Sequence, residues 1–360
     1  MNTNAFSDPA VARKLVSAIT ECAGRVASAR IMEVCGTHTM EIGRLGIRQL
    51  LPKNVELLSG PGCPVCVTPA SYIDALAGLA LDRGVLVAAF GDLFRVPGNK
   101  RSLAQVKSQG ASVEIVTSPM AALALARRNP GREVVFTAVG FETTIPATAA
   151  ALREAASKNL ANISFLVAHR LVPPALDTLL ADKELGINAF LLPGHVSAIV
   201  GEAAYALLAE RNVPGVITGF EPLDILAGIL ATLTMLAEKQ AGVKNAYTRV
   251  ARPGGNAAAR QLMDEIYEPC DAVWRGIGKL PMSGLRLRPQ YGRFDAAEKF
   301  GLSIDTAEMP AGCSCGDVLK GRLRPDACPL FGTACDPDHP VGPCMVSSEG
   351  SCAAYFKYGG

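Results

Sequence analysis

Residues 133–144 read EVVFTAVGFETT, and the first seven of them set the fold class. Two Val, a Phe, a Thr, an Ala and a third Val follow one another with no polar residue every second position. Such a run suits a strand buried on both faces, and these strands belong to parallel sheets covered by helices. The polar cluster Glu142, Thr143 and Thr144 arrives where the strand should end.

The same pattern recurs along the chain. Further short apolar runs are IMEV (31–34), VELLS (55–59), VLVAAF (85–90), SVEIV (112–116), ISFLVA (163–168), AFLL (189–192) and GVITGF (215–220). Segments between them, such as ASYIDALAGLALDRG (70–84) and VSAIVGEAAYALLAERN (196–212), have helical periodicity. Strand–helix alternation implies an α/β protein with parallel sheets and crossover connections. Eight such units can close one barrel. The stretch TSPMAALALARRNPGREV (117–134) reads instead as a helix linking two halves. The expected architecture is therefore two similar parallel-sheet α/β domains, 1–118 and 119–245, facing a common cleft. Region 246–360 forms a third, helical and Cys-rich part, with a helix carrying Met263 and Ile266.

The chain has 360 residues, 49% of them hydrophobic and 19% charged, with a formal net charge of +2. No basic block is present, which speaks against nucleic acid as a partner. The start, MNTNAFSDPAVARKLV, lacks the apolar core of a secretory signal, and the greasiest run, ILAGILATLTMLA (225–237), is too short to span a bilayer. A cytoplasmic protein without a membrane partner is expected. Asp8 and Pro9 mark the start of a first helix whose Val11, Leu15, Ile19 and Cys22 share a face, so Cys22 reads as a core thiol. Cys270 reads as structural too.

In open α/β sheets ligands bind beyond the carboxyl ends of strands. The unusual residues fall there: CGTHT (35–39), GPGCPVC (60–66), GDLFRVPG (91–98), GFETT (140–144), HRLVPP (169–174), PGHVSAIVG (193–201) and GFEPLD (219–224). One cleft would collect Cys35, His38, Cys63, Cys66, Asp92, His195, Glu142 and Glu221. A C-x-x-C pair such as Cys63–Cys66 serves as a disulfide switch, as half of a zinc site or as a soft cage for iron. Thr68 and Pro69 open the next helix, whose dipole would favour a Cys66 thiolate. Plainer roles compete. The glycines serve turns, Asp92 caps a turn, His195 and His169 sit hydrogen-bonded in the core, and Glu142 and Glu221 begin helices.

Eleven cysteines in a reducing compartment do not suggest a disulfide framework. Six of them, Cys313, Cys315, Cys328, Cys335, Cys344 and Cys352, lie in the last 48 residues. Their wide, Pro- and Gly-filled spacings lack the paired knuckles of structural zinc. All-thiolate ligation of a [4Fe–4S] cluster suits them better than zinc or disulfides. The leading ligand set is Cys328, Cys335, Cys344 and Cys352. That leaves Cys313 and Cys315 as a redox pair, or as alternatives for one ligand.

The motifs EVCGTHTM, SGPGCPVCVTP, FGDLFRVPG, VGFETT, LPGHVSAIVG, GFEPLDIL and CMVSSEGSCAAYFKYG occur in this order from about residue 33 to 359. Together they resemble the HypD family of hydrogenase maturation proteins. The resemblance implies a redox-active scaffold that assembles the Fe(CN)₂CO group of [NiFe]-hydrogenases. It implies a HypC-type chaperone, a HypE-type cyanide donor and a [4Fe–4S] cluster in the C-terminal region. It further implies that Cys35, Cys63 and Cys66 bind iron transiently or serve redox steps, supported by His38, Asp92 and His195, and that Glu349 belongs to a family motif. A partner thiolate would complete the iron's shell through a partly open cleft rimmed by Phe94, Val96 and Pro97. The competing expectation is an iron–sulfur-dependent protein disulfide reductase of the ferredoxin–thioredoxin reductase type.

Overall fold

The computed structural model describes residues 6–304 and 309–359. All eight expected apolar runs form strands: β1 (Ala29–Glu33), β2 (Val55–Ser59), β3 (Leu86–Ala89), β4 (Val113–Ile115), β5 (Val134–Gly140), β6 (Ile163–His169), β7 (Ala189–Pro193) and β8 (Pro214–Thr218). A ninth, β9 (Gly242–Asn245), joins them, and a hairpin, β10 (Tyr267–Trp274) and β11 (Gly278–Leu287), follows. Every residue of β5 is buried, as its unbroken apolar run requires.

Two parallel sheets result, with strand orders β2-β1-β7-β8-β9 and β4-β3-β5-β6. Strand membership cuts across the expected division at residue 118. The five-stranded sheet takes β1 and β2 from before that point and β7–β9 from after it. The four-stranded sheet, β3–β6, is inserted between them. The expected linking helix is present as Pro119–Arg128, capped by Ser118, but it connects β4 to β5 within one sheet. Neighbouring strands share the ladder regardless of what lies between them in sequence, so a helical crossover alone does not reveal which sheet receives the next strand.

One hydrophobic core joins the sheets. It contains Met32 and Leu58 from the larger sheet together with Val87, Val135 and Leu166 from the smaller. Trp274 of the hairpin belongs to the same core. The first helix is Pro9–Ala23, with Asp8 Oδ1 accepting the Ala10 N–H at 2.7 Å, and Cys22 is buried in the core as expected. The greasy run forms the buried helix Pro222–Ala237. Among the described residues no helix is long and apolar enough to cross a membrane.

Candidate functional site

Adjacent strand ends hold the first group of residues. Cys35 follows β1 and precedes the helix Gly36–Arg44. Its Sγ lies 3.7 Å from Nε2 of His195, which starts the helix Gly194–Val200 after β7. The His195 ring stacks on Phe220, after β8, at a centroid distance of 4.9 Å. His38 is fully buried, tilts against the same Phe220 and donates its Nε2–H to the Gly219 carbonyl at 2.9 Å. His38 therefore clamps the β1 and β8 loops together. Burial lowers both imidazoles to about 4, so each is neutral near pH 7.

The C-P-V-C motif meets Cys35 backbone to backbone. A Cβ on Gly62 would sit 2.3 Å from the Cys35 nitrogen, so only glycine permits this approach. The Cys66 N–H donates to Cys63 Sγ at 3.1 Å, and Cys63 donates its S–H to Ser347 Oγ at 3.3 Å. Ser347 opens a strap, Ser347–Gly350, that covers the thiols. Asp92, beyond β3, pins the strap: its Oδ2 accepts from Ser347 Oγ, Ser348 N and Ser348 Oγ at 3.2, 3.1 and 2.6 Å. Glu349 Oε1 accepts from Thr37 Oγ1 at 3.1 Å.

Covered in this way, Cys35 and Cys66 are held neutral. Burial pushes Cys35 up to about 12, against the backbone hydrogen bonds from His38 and Thr37. Burial also pushes Cys66 well above its ordinary value. The helix that begins at Ala70 does not reverse this, contrary to the expected dipole assistance, because desolvation of a fully buried sulfur is the larger effect. The expected rim is altered as well: Val96 is fully buried, while Phe94 and Pro97 are half-buried.

A row of sulfurs leads from this cleft into the tail. Cys66 donates its N–H to Cys63 Sγ and interacts through its thiol with Cys344. Cys344 Sγ lies 2.7 Å from Cys315 Sγ, and Cys315 in turn interacts with Cys313. All six tail cysteines line one apolar cavity with Val318, Leu330 and Met345. Within it Cys344 and Cys315 are buried deepest, on the side of Cys66. Burial raises the Cys352 thiol, and its neighbours Cys313, Cys335 and Cys328 add to the effect.

The expected residues thus divide. Cys35, Cys63, Cys66, His195 and Asp92 come together, and His38 braces them. Glu221 stays exposed at a helix start. Glu142 is buried but lines a different cleft, of ≈ 630 Å³, with Leu171, Val200 and Arg260. His169 is a fully buried core histidine beside Tyr267. Sequence reasoning missed Ser347 and Ser348 as strap anchors, and Phe220 as the platform for two imidazoles. Their adjacency to Glu349 and to the GFEP motif was the available signal. No group of three or more His, Cys, Asp or Glu among the described residues is arranged to hold a single metal ion. Iron at Cys35 would need these thiols to turn or a further donor to arrive.

The family model described as "HypD: Hydrogenase formation hypA family" matches residues 10–359. The chain belongs to the HypD family. It is 43% identical to the hydrogenase maturation factor HypD of Rhodobacter capsulatus, over 99% of this chain and 97% of that protein. It is 45% identical to the HypD maturation factor of Escherichia coli K12, over 91% of this chain and 89% of the relative. The corresponding protein of Azotobacter vinelandii is 44% identical, over 98% and 96%. HypD membership matches the resemblance read from the motifs.

Proposed function

We propose that this chain is a hydrogenase maturation factor: a redox-active scaffold that holds iron on thiolates while cyanide and carbon monoxide are attached. A HypC-type chaperone completes the iron's shell, and a HypE-type protein donates the cyanide. The names of the relatives support the hydrogenase assignment. The observation that carries the chemistry is the row of sulfurs from Cys63 through Cys66, Cys344 and Cys315 to Cys313, with Cys35 packed beside it on Gly62.

The row supports a redox device. If Cys315 and Cys344 are joined as a disulfide, exchange with the Cys63–Cys66 dithiol transfers two electrons and two protons and leaves a C-P-V-C disulfide. As a dithiol, C-P-V-C can take iron with Cys35 once protons leave the sulfurs, since the thiolate is the ligand. Disulfide formation releases the metal. Cys35 enters as a neutral thiol, so binding a cation must displace its proton.

The tail cavity fits an iron–sulfur cluster by its donor set: several free thiols around an apolar space, with no competing carboxylate in the lining. The surroundings favour a ligand set that differs from the expected one. Cys344 Sγ lies 2.7 Å from Cys315 Sγ and interacts with Cys66, which leaves Cys313, Cys328, Cys335 and Cys352 to line the rest of the cavity. Those four would hold the cluster, and Cys315 with Cys344 would form the adjoining redox pair. A bound cluster supplies one-electron transfer.

The disulfide-reductase reading draws on the same row, so the test must see the iron's ligands. Infrared spectra of the anaerobically purified complex with its HypC-type partner should show cyanide and carbonyl bands. Cys35→Ala should lose them while keeping the tail's iron and sulfide. Bands of full intensity in that variant would remove Cys35 from the ligands. Their absence from the wild-type complex, together with reduction of a protein disulfide, would favour the reductase.

A further inference from the structure

Arg275 lies in the turn between β10 and β11 and is 0% exposed. Its backbone N–H donates to the Val67 carbonyl at 2.7 Å, one residue beyond Cys66. Its Nη1 donates to the Pro97 carbonyl at 3.4 Å, while Nε and Nη2 have no hydrogen-bond partner among the described residues. It forms no ion pair with a carboxylate among the described residues, unlike the half-buried Arg48 and the exposed Arg249, which pair with Glu33 and Asp224.

A guanidinium cannot shed its proton in a protein to escape this position. Withdrawing such a charge from water costs several kcal/mol even after relaxation, and one long carbonyl contact offsets little of it. The site is therefore built for an anion. The turn that carries Arg275 packs against the Cys315 segment. Gly276 and Gly316 approach so closely that a Cβ on either would fall 2.6 Å from the other's backbone, which brings the backbones next to Arg275 and Cys315 together. Arg275 also acts electrostatically on Cys313.

We infer that Arg275 is the buried counter-cation of the tail cysteine centre, offsetting the negative charge of the thiolates that ligate a cluster and favouring its reduced, more negative state. The inference rests on the cluster reading above. Four thiolates around a [4Fe–4S] core carry a net negative charge, and one electron adds to it without making or breaking a bond. A fixed positive charge in a low-dielectric setting stabilises the reduced form more than the oxidised one.

The test uses the full chain, purified without oxygen, as wild type, Arg275→Met and Arg275→Lys. Iron and sulfide are counted, and the midpoint potential is read by paramagnetic resonance during titration with dithionite, which supplies the electron. Melting temperatures are taken with the cluster present and after it has been stripped. Arg275→Met should be harder to reduce by at least tenfold in equilibrium constant, ~59 mV for a one-electron couple, and Arg275→Lys should stay within half of that shift. In the stripped chain the sign should reverse: Arg275→Met should melt higher than wild type, because an uncompensated buried charge has gone. If Arg275→Met takes up no cluster, uptake restored in Arg275→Lys supports the inference, and failure of both overturns it. An unmoved potential, or equal destabilisation of loaded and stripped chains, assigns Arg275 to packing alone and overturns it. A wild-type chain without iron and sulfide overturns the cluster reading itself and this inference with it.

Discussion

Glu142→Gln should stabilise this protein at alkaline pH and leave it unchanged in acid. Glu142 is 1% exposed, its Oε1 accepts the Val172 N–H at 2.9 Å, and its Oε2 has no partner. It forms no ion pair among the described residues, and burial pushes its carboxyl from 4.5 up to about 7, against its backbone hydrogen bonds. In the unfolded chain the group loses its proton through pH 4.5, whereas the folded chain keeps it to about pH 7. The folded state thus binds the extra proton in this window. Stability falls as pH rises through it and stays lower above it. The full displacement corresponds to ~3 kcal/mol at ~1.4 kcal/mol per tenfold. Glutamine keeps an oxygen for Val172 and cannot ionise. Its unpaired amide hydrogens stand where the neutral acid has an unpaired O–H, so the two chains should match at pH 4. Urea unfolding at pH 4, 6 and 8, fitted for midpoint and slope, should show the variant gaining on wild type up to ~3 kcal/mol. A difference independent of pH, or a variant less stable at pH 8, would show that a partner stabilises the carboxylate and refute the argument.

Three further substitutions probe the cysteines. Gly62→Ala places a Cβ against the Cys35 backbone, which cannot yield as a flexible side chain would. It should cost about 1–3 kcal/mol by overpacking and separate Cys35 from Cys63, slowing the crosslinking of these two thiols by a short bifunctional reagent; unchanged stability and crosslinking would count against the contact. Cys344→Ala should retain the brown colour and full iron of the anaerobic protein, whereas Cys352→Ala should lose both. The opposite pattern would restore Cys344 to the ligand set.

The strands were legible because burial on two faces leaves unbroken runs such as VVFTAV, and such runs have few alternatives. The polar residues beyond them were legible for the same reason: parallel strands present their carboxyl ends together. The hairpin was not. YEPCDAVW and GKLPMSGLRL alternate imperfectly, and a register shift between Cys270 and Ala272 breaks their period. Strand β9, GVKN, is too short and mixed to announce itself. The proposed division of the six tail cysteines was not legible, because it draws on a long-range contact, Cys66 with Cys344, that no local spacing encodes. Nothing in its local sequence marks Arg275, and only its burial distinguishes it.

Inserting one sheet into the other has a chemical consequence. Cys35, the GPGCPVC loop, His195 and Phe220 hang from β1, β2, β7 and β8, which are neighbours in one ladder. Their spacing is fixed by hydrogen bonds between strands about 4.8 Å apart. The cover over them is not fixed in this way. The strap Ser347–Gly350 is held by Asp92 from the other sheet and by Thr37. Only Met345 and Val346 separate its first serine from Cys344. A displacement of the strap large enough to uncover Cys63 therefore pulls on Cys344 and loosens its contact with Cys66. With the strap closed, the sulfur row is continuous and the thiols are shielded from partners. On the proposed function, a displaced strap would let Cys35 and Cys63 reach a partner's thiolate while weakening their link to the tail. Reduction and iron handling would then fall to different positions of the same short segment, with the Asp92 hydrogen bonds holding the closed one.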